Sequence, residues 1–203
     1  MRFICLFIWL WVIGATAQGQ QKELVGIQFD YAKTIDGYQP GVGPSLEAWF
    51  GDHFSVRYSF LYAPTGSNEY YLYTGGGQAA GFYLIRRAIR KRSGLDIGIP
   101  LGIIAFALPE RYSFRIPLAN NSQLAFFFEP YGFEFIKHTG TGEEDHEISF
   151  EIGCSYYLAA GKRIYIIPHL GIKQIYGDNN PGISFGASVM FGSGKSQEEP
   201  IKK

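Results

Sequence analysis

The sequence predicts an all-β protein: a single antiparallel up-and-down β-barrel of about ten membrane-crossing strands, with eight as the alternative. Three observations carry this. Apolar side chains recur at every second residue along most of the chain, most of the alternating runs are about nine to thirteen residues long, and short connections alternate with longer ones. A strand points successive side chains to opposite faces, so each run is a ribbon with one greasy side. At about 3.3 Å per residue and a tilt of about 40°, such runs reach roughly 25 Å, the height of the apolar band of a membrane barrel. Strands of soluble proteins are nearer 5–6 residues.

Composition agrees. Aromatic residues make up 17 % and charged residues only 18 %, and there are 26 glycines; the charged share of an average domain is about 25 %. The formal net charge is zero, which leaves no basic field to hold nucleic acid. At the N-terminus, Arg2, the apolar run Phe3 to Ile13 and the small residues Ala15-Thr16-Ala17 read as a secretory signal peptide, residues 1–17. The apolar run is too short for a comfortable helical span. Cys5 leaves with that segment, and Cys154 alone cannot form an intrachain disulfide.

Residues 18–191 form the expected barrel. Val25, Ile27, Phe29 and Tyr31 share one face of the first ribbon, and Val42, Leu46, Ala48 and Phe50 one face of the second. After a tight Gly51-Asp52 turn, Phe54, Val56, Tyr58, Phe60 and Tyr62 oppose Ser55, Arg57 and Ser59. The tyrosine-rich stretch 64–78 reads as a long polar loop. The period of 79–93 is blurred and its arginines also suit a short helix, but the neighbouring hairpins need a partner, so it is read as a strand. Its basic cluster, Arg86 to Arg92, then falls at a solvated rim.

Residues 94–104, GLDIGIPLGII, alternate more cleanly: Leu95, Ile97, Ile99, Leu101 and Ile103 oppose Asp96, Gly98, Pro100 and Gly102. Pro100 lacks a ladder donor and should mark a bulge. Further alternating runs cover 111–119, 124–136, 147–158, 163–175 and 182–191, separated by NNSQ, an acidic loop 137–146, AAGK and YGDNNP. GSGKSQEEPIKK, residues 192–203, reads as a disordered polar tail.

With short turns on one side, long loops on the other and an even strand number, the chain resembles the small outer-membrane β-barrel proteins of Gram-negative bacteria, the class of eight- and ten-stranded barrels. The resemblance covers nearly all of the mature chain and rests on pattern. It implies residence in the cell outer membrane, contact with outer-membrane lipid and lipopolysaccharide, and both termini in the periplasm. Many such barrels end on an aromatic residue; Phe191 has the right phase here, but a polar tail follows it.

The parity opposite the greasy face carries Glu47, Arg57, Asp96, Arg115, Glu129, Glu151, His169 and Lys173. In a narrow barrel these should pair across the lumen and fill it, and a narrow transport pore lined by mixed charge is the alternative. The stretch PHLGIKQIYGDNNPGISFG, with His169, is also similar to the closing region of lipid A deacylases. In that family a serine stands two residues after the histidine, followed by asparagine; here those positions are Gly171 and Ile172. A lipid A-modifying hydrolase using His169 is therefore a further alternative, lacking its nucleophile at the family's place. TGGGQ, residues 74–78, lacks the lysine and following helix of a phosphate loop. Glu143 to Glu147 read as a solvated run and Asn120-Asn121-Ser122 as a turn. No catalytic residue, cofactor or metal is implied, and no oligomeric state is set. The expected role is non-enzymatic, structural or surface-interacting, with a surface ligand at loops 64–78 and 137–146.

Overall fold

The structure, a computed structural model, describes residues 21–34, 37–64, 70–74, 76–91, 97–119, 122–138 and 144–192. Five long strands follow the alternation closely: β1 (Gln21–Thr34), β2 (Gly37–Phe50), β8 (Glu144–Ala159), β9 (Ile164–Ile175) and β10 (Gly182–Gly192). β7 (Gln123–His138) is a sixth, interrupted by a bulge between Glu129 and Gly132. The rest of the wall comes from four shorter pieces: β3 (Phe54–Ser59), β4 (Leu61–Pro64), β5 (Tyr70–Thr74) and β6 (Arg111–Pro117).

All pairings are antiparallel, and the sheet closes on itself through β1–β2 and β6–β7. Although ten strands are counted, the barrel has eight staves. β3 and β4 are successive pieces of one stave, both paired to β2. β5 and β6 are the two halves of the next: β5 runs between β4 and β7, and β6 between β3 and β7. This is the eight-stranded alternative, not the ten-stranded reading. Closure gives each stave a partner on both sides, which an apolar solvent requires.

The two missing staves are helices. Between the halves of the split stave the chain forms α1 (Gly76–Lys91) and α2 (Gly98–Ala107). Both segments expected as strands, 79–93 and 94–104, are thus corrected. In α1 the run of Ala, Leu and Arg favours a helix, and Gly77, Gly81, Leu84, Ile85 and Ala88 lie on one side at helical spacing. In α2 almost every residue is apolar, so a period of two is only one of the periods present. Pro100 sits in its first turn, where backbone N–H groups have no intrahelical partner, so no bulge is needed. Gly102, buried in α2, comes so close to α1 that a Cβ would lie 2.6 Å from Ile85 Cγ1 and 2.9 Å from Gly81 O.

The stretch 64–78 is likewise not one loop, since β5 and the start of α1 occupy 70–74 and 76–78. Loop 137–146 shrinks in the same way, because 137–138 end β7 and 144–146 begin β8. Residues 1–17, expected as signal peptide, lie outside the described residues, as does Asp96; of the expected tail 192–203, Gly192 ends β10 and 193–203 lie outside the described residues.

Side chains on the outer parity are exposed and apolar all round the wall, among them Ile27 and Phe29 on β1, Phe114 on β6, Leu170 and Ile172 on β9 and Phe185 on β10. The inner parity carries the buried polar groups. Within the half of the barrel nearer the turns 51–53 and 160–163, an apolar cluster of Leu24, Trp49, Ala125, Tyr157, Tyr165, Ile167 and Met190 fills the interior. No described helix is long and apolar enough to cross a membrane, which says nothing of a β-barrel.

Candidate functional site: the barrel lumen

The lumen side chains come from strands whose alternate residues are Ser, Gly, Gln, Glu and Arg, so one parity supplies the wall's lipid face and the other a polar column. Its hub is Arg57 on β3, 1 % exposed. Arg57 Nη2 donates to Glu47 Oε2 at 2.7 Å and Nε to the same oxygen at 3.1 Å; Nη1 donates to Gln28 Oε1 and Ser188 Oγ, both at 3.3 Å. Glu47 Oε1 accepts from Tyr157 Oη at 2.7 Å and Trp49 Nε1 at 3.0 Å. Both carboxylate oxygens are thereby satisfied, as burial of a charged pair demands. β1, β2, β3, β8 and β10 all contribute, so the cluster ties opposite walls together.

Toward the short turns Arg115 continues the plug. It donates to Gln123 Oε1 at 2.9 Å and to the Gly51 and Phe54 carbonyls at 2.8 and 3.1 Å, and its guanidinium lies 3.6 Å from the Trp49 ring centroid. Lys22 Nζ lies 4.7 Å from the centroid of the same ring.

Toward the long loops the charges become predominantly acidic. Arg111 Nε donates to Glu129 Oε1 at 2.5 Å. Glu151, Glu129's cross-strand neighbour, accepts from Ser184 at 2.5 Å. Lys173 binds Glu134, and Ser59 donates to Glu110. His169 Nε2 stands 2.8 Å from Asp30 Oδ1, while Gln28 donates to Asp30 Oδ2 at 2.7 Å. A cavity lined by Asp30, Glu110, Glu129, Glu134, Glu151 and Lys173, among others, opens on this side. Its volume is about 40 Å³, room for roughly three waters.

Seven of the eight residues singled out in the sequence thus stand in the lumen: Glu47 with Arg57, Glu129 beside Glu151, Lys173 near them, Arg115 at the turn end and His169 against Asp30. The eighth, Asp96, lies outside the described residues, and the ribbon that would have turned it inward is not a strand. Gln28, Asp30, Glu110, Arg111 and Glu134 complete the network and were not singled out. Gln28 and Asp30 share the inner parity of β1, a signal the sequence did contain. Glu134 is hidden by the bulge after Glu129, which shifts the inward phase of β7 from odd to even residues. For the hydrolase reading, His169 points away from lipid, and the Ser184 hydroxyl is given to Glu151.

No protein-family model matches this chain, and no curated protein matches it. Solved structures do. The N-terminal β-barrel domain of Pseudomonas aeruginosa OprF is similar over 86 % of this chain and 98 % of its own, with a TM-score of 0.51 and 10 % identity. The chain folds as a small outer-membrane β-barrel. Neisserial surface protein A is similar to this barrel over 84 % of the chain and 96 % of its own, with a TM-score of 0.47 and 10 % identity. Ail, the attachment invasion locus protein of Yersinia pestis, is similar over 86 % and 98 %, with a TM-score of 0.45 and 14 % identity. At such identities the likeness is one of fold, and function must come from this barrel's own residues.

Proposed function

We propose that this outer-membrane barrel is non-enzymatic and works at the cell surface, through the connections at its long-loop rim, while the lumen serves to hold the barrel shut and rigid. The observation that supports this best is the plug at Glu47, Arg57, Trp49 and Tyr157. Its four side chains are buried and mutually satisfied, and Trp49 and Tyr157 also belong to the apolar cluster that packs the turn-end half of the interior. The interaction segments are the pieces of 64–78 and 137–146 that connect β4 to β5 and β7 to β8. Contact with outer-membrane lipid and lipopolysaccharide follows from the exposed apolar wall.

The acid-lined cavity favours a transport reading as the second possibility, but its lining stays on the long-loop side and does not include the Glu47–Arg57 plug. Purified protein in a planar bilayer tests the choice. Electrical silence is expected, and stable single-channel steps would overturn the proposal. For the surface role, residues 65–69 and 139–143 are replaced by short Gly-Ser turns. The variant should still shift on a heat-modifiability gel yet fail to correct the surface phenotypes of a deletion strain; full correction would remove the loops from the function. Lipid A acylation should be the same with His169→Ala as with the native chain, which disposes of the hydrolase alternative.

A further inference from the structure

The helical hairpin α1–α2 has no role in the reading above, and its chemistry is unlike that of a surface loop. Ile97, Ile99, Leu101, Ile103, Ile104 and Leu108 in and around α2 are all exposed. A continuous aliphatic surface of this kind on a protein element marks contact with something apolar. The hairpin leaves the wall between β5 and β6, where Thr74 pairs with Glu134 and Tyr112 with Phe128, so it emerges part-way up the barrel and not from either rim.

It also lies on the outside. Tyr83 of α1 packs its ring against Phe133 of β7 and His146 of β8, with centroids 5.7 and 5.1 Å away, and both partners belong to the outward parity. The hairpin therefore occupies the same layer as the lipid-facing side chains of the wall. The two helices meet through glycines: Gly77 and Gly81 stand four apart on α1, a Cβ on Gly77 would lie 2.1 Å from the Ala105 carbonyl oxygen, and one on Gly102 of α2 would lie 2.9 Å from the Gly81 carbonyl oxygen. Small residues at this spacing are how helices pack where the surroundings are as apolar as the side chains.

The remaining feature is charge. Residues 75–95 contain Arg86, Arg87, Arg90, Lys91 and Arg92 and no Asp or Glu. α2 is ten residues long and α1 sixteen, so neither spans a bilayer. A helix carrying Arg86 and Arg87, joined to an aliphatic one and set against a membrane wall, is built to lie within one leaflet with those two cations at headgroup level. α1 starts level with Thr74 and reaches His146, only two residues from the long-loop end of β8, and the arginines follow Tyr83. On the expected orientation that is the outer leaflet.

We propose that the α1–α2 hairpin is an intramembrane lipid-binding element: α2 lies among acyl chains of the outer leaflet, and Arg86 and Arg87 hold the phosphate groups of lipid A. The inference rests on the outer-membrane reading, and the experiment separates the two. Nitroxide labels are placed singly by Leu101→Cys on α2, Leu170→Cys on the β9 wall and Asn179→Cys in the β9–β10 connection. Cys154, the one cysteine of the mature chain, is changed to serine, and the protein is reconstituted in phosphatidylcholine vesicles with and without diphosphoryl lipid A.

Relaxation of the labels at 101 and 170 should respond to oxygen and hardly to a water-soluble nickel chelate, and that at 179 the reverse. If 170 behaves like 179, the barrel reading itself fails. If only 101 does, or if 101 is shielded from both relaxants as under a protein partner or second copy, the hairpin proposal fails. For the phosphate half, native mass spectrometry in detergent with diphosphoryl lipid A should show an at least three-fold lower lipid-bound fraction for Arg86→Gln/Arg87→Gln. Lys162→Gln, on the distant turn, should match the native chain. Equal retention in the arginine variant overturns phosphate binding.

Discussion

At the scale of single residues, the most consequential pair is Glu47 and Arg57. Replacing Glu47 with Gln leaves a guanidinium buried without its counter-charge, a change that typically costs about 3–5 kcal/mol. Urea unfolding of vesicle-embedded protein, followed through Trp49 fluorescence, should show that loss. The double variant Glu47→Leu/Arg57→Leu removes both charges and should be less destabilised than the sum of the two single changes. A contrasting pair sits outside the wall, where Lys33 Nζ binds Asp178 Oδ2 at 2.6 Å. The hydrogen bond from Lys33 holds the Asp178 carboxyl below its ordinary value. The contact's stabilisation is therefore complete above the unfolded carboxyl value and is lost as pH falls through the lower folded one. In Asp178→Asn, the acid-side decline in melting temperature should lose this small component, and the two proteins' difference should vanish at low pH. Exposure and salt keep the effect small.

At the scale of elements, the hairpin and the bulge are the departures from a regular barrel. Gly102→Leu would drive a side chain into Ile85 and the Gly81 carbonyl, and the helices must part. We expect the barrel to keep its heat-shifted mobility on gels while α1 and α2 become sensitive to added protease, because the eight staves do not depend on the hairpin's internal packing. Loss of the folded band instead would place the hairpin within the cooperative unit of the barrel. These elements also show why legibility was uneven. β9 reads directly from IYIIPHLGIKQI, since Ile164, Ile166, Leu170 and Ile172 share one parity against His169, Gly171 and Lys173. α2 does not, since GIPLGIIAFA is apolar on nearly every side and satisfies periods of two and of 3.6 together. Gly102 was legible as a small residue; that it faces a second helix depends on what α1 presents to it.

For the molecule as a whole, the polarity of the wall is the quantity to test. Leu170, exposed near the middle of β9, should tolerate Ala and resist Arg, with a cost of about 2–4 kcal/mol for the buried cation at mid-bilayer. Folding efficiency into vesicles, scored by the heat-shifted gel band, measures it. If Leu170→Arg folded as well as the native chain, that face would not meet lipid. The reverse change on the inner parity, Ser188→Leu beside Arg57, should disturb the plug without altering membrane insertion.

The amino-acid order by itself determined which side chains of the long strands face lipid and which face the lumen, because that partition depends only on a period of two within each strand. It therefore placed Glu47, Arg57, Arg115, Glu129, Glu151, His169 and Lys173 on one surface. Three matters were decided only by the tertiary structure: how many staves close the barrel, that 76–107 leaves the wall as a helical hairpin, and which charges meet. Each depends on partners far away in sequence. A run of apolar residues becomes strand or helix according to whether a neighbouring edge is there to satisfy its backbone, and here β4 and β7 are satisfied by β5 and β6 with the hairpin left outside. Glu134 joins the lumen only because a bulge in β7 shifts its phase, and Asp30 meets His169 only because β1 closes against β10 beside β9.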